Sequence, residues 1–356
     1  MFTHLQRVLL LGQGAKGGIT EQLQRMTSTG AGHRSKRSLV LDYDYASGSV
    51  TEHTSDESAR DFMLGGETGI YTSMRTVGGG QRVFLLDDHL QRLGDSHRME
   101  LPRDAARRDD PAYWRRVLLP LLRRGLAAFG AECPDEEAKI TVLADTAAAR
   151  VHFTCLYGPG GPPSAGCWVR FVTGVRRENP EAKSIRWVHQ REALEALLVA
   201  PTNEVVLTDG RRFYEGISSN FFATRKREST TGAGGGGAGP EYLHYQLVSA
   251  PRDRVLLGTV MKLVLRICDR DGIEVVYDPA LDFARWSGAF VTSTSRWVLP
   301  VATIVAGGAD GIGSAGDGGA MAPSPARQHR VDADDPLVAH LRESVRSMAA
   351  ENSTKV

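Results

Sequence analysis

Hydrophobic spacing along the chain switches between two periods. Arg82–Leu86 reads as a strand, and Asp87–Leu93 opens a helix. Asp110 before Pro111 is a cap-and-first-turn pair. The helix it starts runs through Tyr113 to Phe129, with a kink or break expected at Pro120. Residues 139–144 and 151–157 are β-type runs. Residues 203–207 and 211–214 flank Asp209-Gly210, a strong hairpin signal, and residues 219–224 read as the next strand. Over 259–271 a helical period puts Val260, Leu263, Val264 and Ile267 on one face, and Gly272 ends it. Strands follow at 273–277 and 289–294, the latter entering a turn of small residues. Interleaved strands and helices of this kind predict an α+β chain of two lobes, over 39–175 and 176–305, with a helix or tail over 329–356.

Three segments break the pattern. Residues 1–38 hold Arg7, Lys16, Arg25, Arg34, Lys36 and Arg37 against one acid, Glu21. Such a basic, Ser/Thr-bearing segment is either an organelle transit peptide or a tail with no address. Residues 229–240 form a Gly-rich insertion, and residues 306–328 are rich in Gly, Ala, Ser and Pro. Neither buries enough apolar area to offset the entropy of ordering it, so both are expected to loop out.

Charge and cysteine usage narrow the classes. Lys+Arg is 43 and Asp+Glu is 42, a net charge of +1, which argues against a nucleic-acid binder held by phosphate contacts. No stretch approaches the roughly 18 apolar residues needed to span a bilayer. Cys133, Cys155, Cys167 and Cys268 show no CxxC spacing, so neither a metal site nor a disulfide framework is expected. A reduced intracellular compartment, cytosolic or organellar, fits best. Lysine is scarce: only Lys16, Lys36, Lys139, Lys183, Lys226, Lys262 and Lys355.

Four landmarks stand in order: GIYTSMRTVGGGQRVFLLDDHLQRL (69–93), EAKSIRW (181–187), DGRRFYEGISSNFF (209–222), and the pair LLGTVMK (256–262) with FVTSTSRWVLPV (290–301). Over residues 65–304 the chain resembles the class IV, fold type IV, pyridoxal-phosphate enzymes. That family comprises branched-chain aminotransferases, D-amino-acid aminotransferases and aminodeoxychorismate lyases. The most specific blocks are Glu-x-Ile-x-x-Asn-Phe-Phe (215–222) and His-Leu-x-Arg-Leu (89–93). The resemblance implies the two-lobed α+β fold of the D-amino-acid aminotransferase type, a homodimer, and pyridoxal 5'-phosphate bound in the lobe over 176–305.

The resemblance also assigns roles. Lys183, 32 residues ahead of Glu215, would hold the cofactor as a Schiff base and shuttle a proton. Glu215 would face the pyridine nitrogen and favour its protonated form. Gly258, Thr259 and Val260 would present backbone N–H groups to the phosphate at a helix N-terminus. Ser293 and Thr294 would form the second phosphate turn, and Arg92 would add a permanent charge. Tyr71 would line the substrate pocket or serve as a core tyrosine. Arg296 would bind a substrate carboxylate or sit on the surface.

The chain departs from the family in places. Gly-Thr-Val-Met (258–261) stands where Gly-Ile-Thr-Arg is common, so a hydroxyl is lost at Val260. One hydrogen bond to a charged group is worth roughly 1.5–3 kcal/mol, or about ten- to a hundredfold in cofactor affinity. Thr72, Arg186 and Trp187 also differ from common family choices. Three functions stay open on these residues. The first is an aminotransferase acting on an amino acid and a 2-oxo acid, the second a lyase of the aminodeoxychorismate type, and the third a non-catalytic protein that kept the fold. A dinucleotide-binding loop is poorly supported, because Gly78-Gly79-Gly80 lies between two strand signals and reads as a hairpin turn.

Overall fold

The computed structural model describes residues 38–102, 106–157, 166–228, 239–307 and 326–356. The basic segment 1–37, residues 229–238 of the Gly-rich insertion and residues 308–325 lie outside the described residues.

One sheet takes its strands from the first half of the chain. They are β1 (Ser38–Asp44), β2 (Val50–Ser55), β3 (Ile70–Val77), β4 (Arg82–Phe84), β5 (Ala138–Ala144) and β6 (Ala148–Cys155). A seventh, β16 (Ser353–Lys355), joins them in the order β16-β4-β3-β5-β6-β1-β2, all antiparallel. Gly78, Gly79 and Gly80 join β3 to β4 with φ of +70°, +68° and +81°. Only glycine takes three such angles in a row without strain, so the hairpin reading of this motif holds.

Three helices belong to this half: α1 (Ala59–Leu64), α2 (Leu86–Glu100) and α3 (Pro111–Glu132). The Asp110 side chain caps α3 by accepting from the Ala112 N–H. The helix passes Pro120 without a break, contrary to the break allowed from sequence. The reason lies in packing. Trp114, Val117 and Leu118 on one side of Pro120, and Leu121 and Leu122 on the other, are all buried, while Pro120 faces solvent. A continuous apolar stripe outweighs one missing N–H.

The second half forms a larger sheet from β7 (Cys167–Thr173), β8 (Thr202–Thr208), β9 (Phe213–Gly216), β10 (Asn220–Lys226), β11 (Tyr245–Ser249), β12 (Val275–Val276), β13 (Gly288–Ser293) and β14 (Trp297–Ala306). The order is β12-β11-β10-β13-β14-β7-β8-β9, with β15 (Arg327–Arg330) beside β14. β9 also pairs with β10 through Asn220 and Glu215, closing six strands into a ring. The aromatic cluster of Phe171, Phe213, Phe221 and Trp286 fills its core, with ring centroids 4.9–6.3 Å apart. The expected hairpin at Asp209-Gly210 joins β8 to β9. Of the strand expected at 273–277 only Val275–Val276 pairs.

Short helices α4 (Ile185–Gln190) and α5 (Glu192–Glu195) link β7 to β8. α6 (Thr259–Asp271) buries Val260, Leu263, Val264 and Ile267, the face expected from their spacing, and Gly272 ends it at φ +69°. α7 (Pro336–Ser347) packs on β13, β14 and α6, after which the chain returns to the first sheet as β16.

Candidate active site

The two sheets meet at a pocket lined by Tyr71, Arg92, Lys139, Lys183, Glu215 and the N-terminus of α6, among others. Lys183 lies in the extended residues just before α4, whose N-cap Ser184 accepts from the Arg186 N–H. Its backbone is pinned on both sides. The Lys183 N–H donates to Ser96 Oγ at 3.0 Å, and its carbonyl accepts from the Tyr71 N–H at 2.9 Å. The ammonium sits 4.5 Å from the centroid of the Tyr71 ring. Burial lowers its pKa to about 8; the phenol of Tyr71 opposes this, while Arg92, Arg177 and Arg191 reinforce it. Burial alone would raise the Tyr71 phenol, but Lys183, Arg191 and Arg177 together bring it down to about 7. Lys183 is therefore half neutral near pH 8 and increasingly neutral above it, where an exposed lysine stays charged. An amine-acylating reagent should label Lys183 with a midpoint near pH 8, followed by peptide mass spectrometry across pH 6–10. A midpoint in the ordinary range of an exposed lysine would contradict the lowered pKa.

Glu215 is the third residue of β9 and is 3% exposed. One carboxylate oxygen accepts from Arg177 at 3.3 Å and the other from the Leu256 N–H at 3.0 Å. Burial raises its pKa, and Arg177 with the Leu256 amide acts against this. Arg92 projects from α2, 5% exposed, with Nη2 donating to Thr72 Oγ1 at 2.6 Å. The same nitrogen lies 2.9 Å from His89 Nδ1, and Thr72 Oγ1 is 2.8 Å from that atom. An arginine cannot accept, so His89 Nδ1 is the acceptor and the ring is neutral. Burial and Arg92 keep the His89 pKa well below its ordinary value. Thr72, one of the departures from the family pattern, thus steadies Arg92. Burial also lowers Arg92, to about 10, against the pull of Tyr71 and Asp88. Its Nε is buried without a hydrogen-bond partner among the described residues.

Gly258 is the N-cap of α6 and offers no side-chain cap, so the first N–H groups of the helix have no such partner. A Cβ at Gly258 would collide with Asn220 Oδ1, which explains the glycine. Thr259 Oγ1 and Thr294 Oγ1 lie 3.4 Å apart across the pocket, beside Val260, Ser293 and the buried, unpartnered Thr292 Oγ1.

The expectation for Arg296 shifts. Its Nη2 is engaged by Glu204, a carboxylate with no exposure, and by Ser218 Oγ at 2.8 Å, so its charge is already balanced. Sequence reading missed three residues. Arg177 follows β7 in an irregular segment and gave no signal. Arg191, at the end of α4, pairs with Glu195 at 2.9 Å and reaches toward Tyr71 Oη at 3.4 Å. Lys139 heads the β-type run at 139–144, which carries no mark of a pocket residue. It lies on β5 directly across from Arg75 and lines the pocket with no carboxylate partner among the described residues. Burial, with Arg191 and Arg296, lowers its pKa.

Among the described residues no group of three His, Cys, Asp or Glu could hold a metal ion, and no helix is long and apolar enough to cross a membrane. A comparison with curated proteins gave no match. Solved structures do match. One is described as a hypothetical aminotransferase from Mycobacterium tuberculosis in a PLP-bound form, with TM-score 0.60, 17% identity, and coverage of 88% of this chain and 99% of that one. A branched-chain aminotransferase from Thermoproteus uzoniensis with norvaline matches with TM-score 0.58 and 18% identity over 89% of this chain and 96% of its own. A fold IV transaminase from Curtobacterium pusillum gives 0.58 and 16%, over 87% and 98%. At these identities the likeness is one of fold. The sequence model of the amino-transferase class IV family matches residues 69–304, which span every landmark of the pocket from Tyr71 to Arg296, and the chain belongs to that family.

Proposed function

We propose that the protein is a pyridoxal-phosphate-dependent aminotransferase that moves an amino group between an amino acid and a 2-oxo acid. The observation that carries this reading is one pocket holding a half-buried amine of lowered pKa, Lys183, and a buried carboxylate, Glu215, beside a helix N-terminus with no side-chain cap. The residues fit the cofactor. Its phosphate would take the N–H groups of Thr259 and Val260 at the helix end that Gly258 leaves without a side-chain cap, the hydroxyls of Thr259 and Thr294, and Arg92, whose Nε has no partner among the described residues. Thr259 supplies a hydroxyl at this helix end, one position from the one absent at Val260. When bound, the cofactor supplies an electron sink for the pair left as the substrate's α C–H bond breaks.

The chain's own groups do the rest. Lys183 would hold the cofactor through its ε-amine; once the substrate's own amine displaces it, the freed ε-amine would take the α-proton and return it to the carbon on the far side of the substrate nitrogen. A pKa of about 8 lets the same nitrogen act as base and as acid near neutrality. Tyr71 holds that nitrogen over its ring and limits where it can swing. Glu215, kept in place by Arg177 and the Leu256 N–H, would be the carboxylate that favours the protonated state of the cofactor's ring nitrogen. By the family resemblance the working unit is a homodimer.

Lys139 supports a further step of the reading. Arg177, Arg191 and Arg296 each have a carboxylate, whereas Lys139 has none among the described residues. Two solved neighbours are described with 2-oxoglutarate or a glutamate adduct, with TM-scores of 0.59 and 0.57. We take Lys139 as the counter-charge for a carboxylate on the substrate. Lys139→Met should then raise KM for dicarboxylic donors about tenfold or more and leave neutral donors within about threefold, by steady-state kinetics.

The reading is tested by mixing the PLP-loaded protein with a broad amino-acid panel and following cofactor absorbance in a single turnover, with the 2-oxo acid product identified. No conversion with any donor would overturn it. Pyruvate released together with an aromatic amine would replace it by the lyase.

A further inference from the structure

We propose that Arg75 is a positioning residue that fixes the Ser293–Trp297 turn from across the gap between the two sheets. Arg75 lies on β3 and is 6% exposed, yet no carboxylate pairs with it among the described residues. Its Nε donates to the Thr76 carbonyl at 3.2 Å. Its Nη1 donates to Tyr157 Oη at 3.0 Å and reaches the Ser295 carbonyl at 3.4 Å. Tyr157 Oη donates to the same carbonyl at 3.3 Å. The guanidinium carbon sits 4.3 Å from the centroid of the Trp297 ring.

What Arg75 grips is a tight hairpin. Ser293 pairs with Trp297 across it, and the Arg296 N–H closes on Ser293 Oγ at 3.2 Å. Trp297 has φ +55°, a left-handed conformation that a bulky side chain keeps only when its surroundings enforce it. Its indole Nε1 is buried with no hydrogen-bond partner among the described residues, so packing holds it there. That packing is the Arg75 plane and the Phe84 ring, 5.6 Å from it by centroids. Every residue of the turn from Ser293 to Arg296 lines the pocket.

The placement of Arg75 argues against a purely stabilising role. It stands directly opposite Lys139 on β5, two cations with no carboxylate partner among the described residues. Like charges so opposed cost stability. A lysine would keep the charge but could neither stack on the indole nor donate along a fixed plane.

This inference rests on the reading of the turn as a phosphate site. The test measures affinity for PLP, and separately for inorganic phosphate, in wild type, Arg75→Lys, Arg75→Met, Trp297→Phe and Trp297→Gly. Each is measured well below the variant's thermal midpoint. Both Arg75 variants and Trp297→Gly are expected to bind about tenfold or more weaker. Trp297→Phe should stay within about threefold, and Arg75→Met combined with Trp297→Gly should be no worse than either alone. Wild-type affinity in Arg75→Lys, showing that charge alone suffices, would overturn the proposal, and so would additive losses in the double variant. If Arg75→Met fails to fold, Arg75→Lys and Trp297→Phe still decide it. Failure of PLP to attach to Lys183 would sink the aminotransferase reading alone, because the phosphate titration reads the turn without it.

Discussion

Replacing Lys183 by alanine is expected to lower turnover with every amino donor by about 10³-fold or more, while the protein stays folded. General acid–base catalysis by one positioned group contributes about 10²–10⁴-fold, and the variant also loses the covalent anchor. The fold should survive because the Lys183 side chain pairs with no carboxylate among the described residues and its removal takes a charge out of a pocket that also holds Arg92, Arg177 and Arg191. Its backbone contacts to Ser96 and Tyr71 do not depend on the side chain. Borohydride treatment of PLP-loaded wild type should leave a mass adduct on the Lys183 peptide, and none in the variant. A small primary amine added at high concentration should recover part of the rate, since the alanine leaves room for a diffusible base. Turnover within tenfold of wild type would remove Lys183 from the chemistry.

The second large effect concerns Glu215. Glu215→Gln keeps an oxygen for the Leu256 N–H but removes the negative charge opposite Arg177. Turnover should fall about 10²–10³-fold, the scale for losing one preorganised electrostatic partner, with PLP affinity changed far less. Stability should fall too, because breaking a buried pair from one side costs about 3–5 kcal/mol. The two effects can be separated. Adding Arg177→Met to Glu215→Gln removes the stranded guanidinium and should restore much of the lost thermal stability without restoring turnover. A single variant with near-normal turnover, or a double variant that regains it, would show that Glu215 matters only as a structural partner of Arg177.

Much of this pocket was legible in the chain, and the reasons differ by residue. α6 shows its buried face because Val260, Leu263, Val264 and Ile267 repeat at helical spacing, and Gly272 ends it where spacing says it should. Asp209-Gly210 announces the hairpin that delivers Glu215 to the pocket. Arg177 was not legible, since an irregular segment carries no period and one arginine among many carries no mark. Lys139 was hidden by its strand. Alternation puts it on the face shared with Ser73 and Tyr71, but only the β3–β5 register reveals Arg75 as its neighbour. Helix α3 crosses Pro120 because burial on both flanks decides the matter, and burial is a tertiary quantity. The fate of Arg296 turned on Glu204, which is 92 residues away in sequence.

The pairing of β16 with β4 has a consequence for how the protein is made. Arg82 on β4 donates to Ser353 Oγ across 271 residues of chain. The other strands of that sheet leave the ribosome early, yet β4 stays an unpaired edge until the whole larger sheet and α7 have been synthesised. An open edge is a template for pairing with other chains. The nascent protein thus carries an exposed border through most of its synthesis, the interval in which a chaperone would have the most to shield.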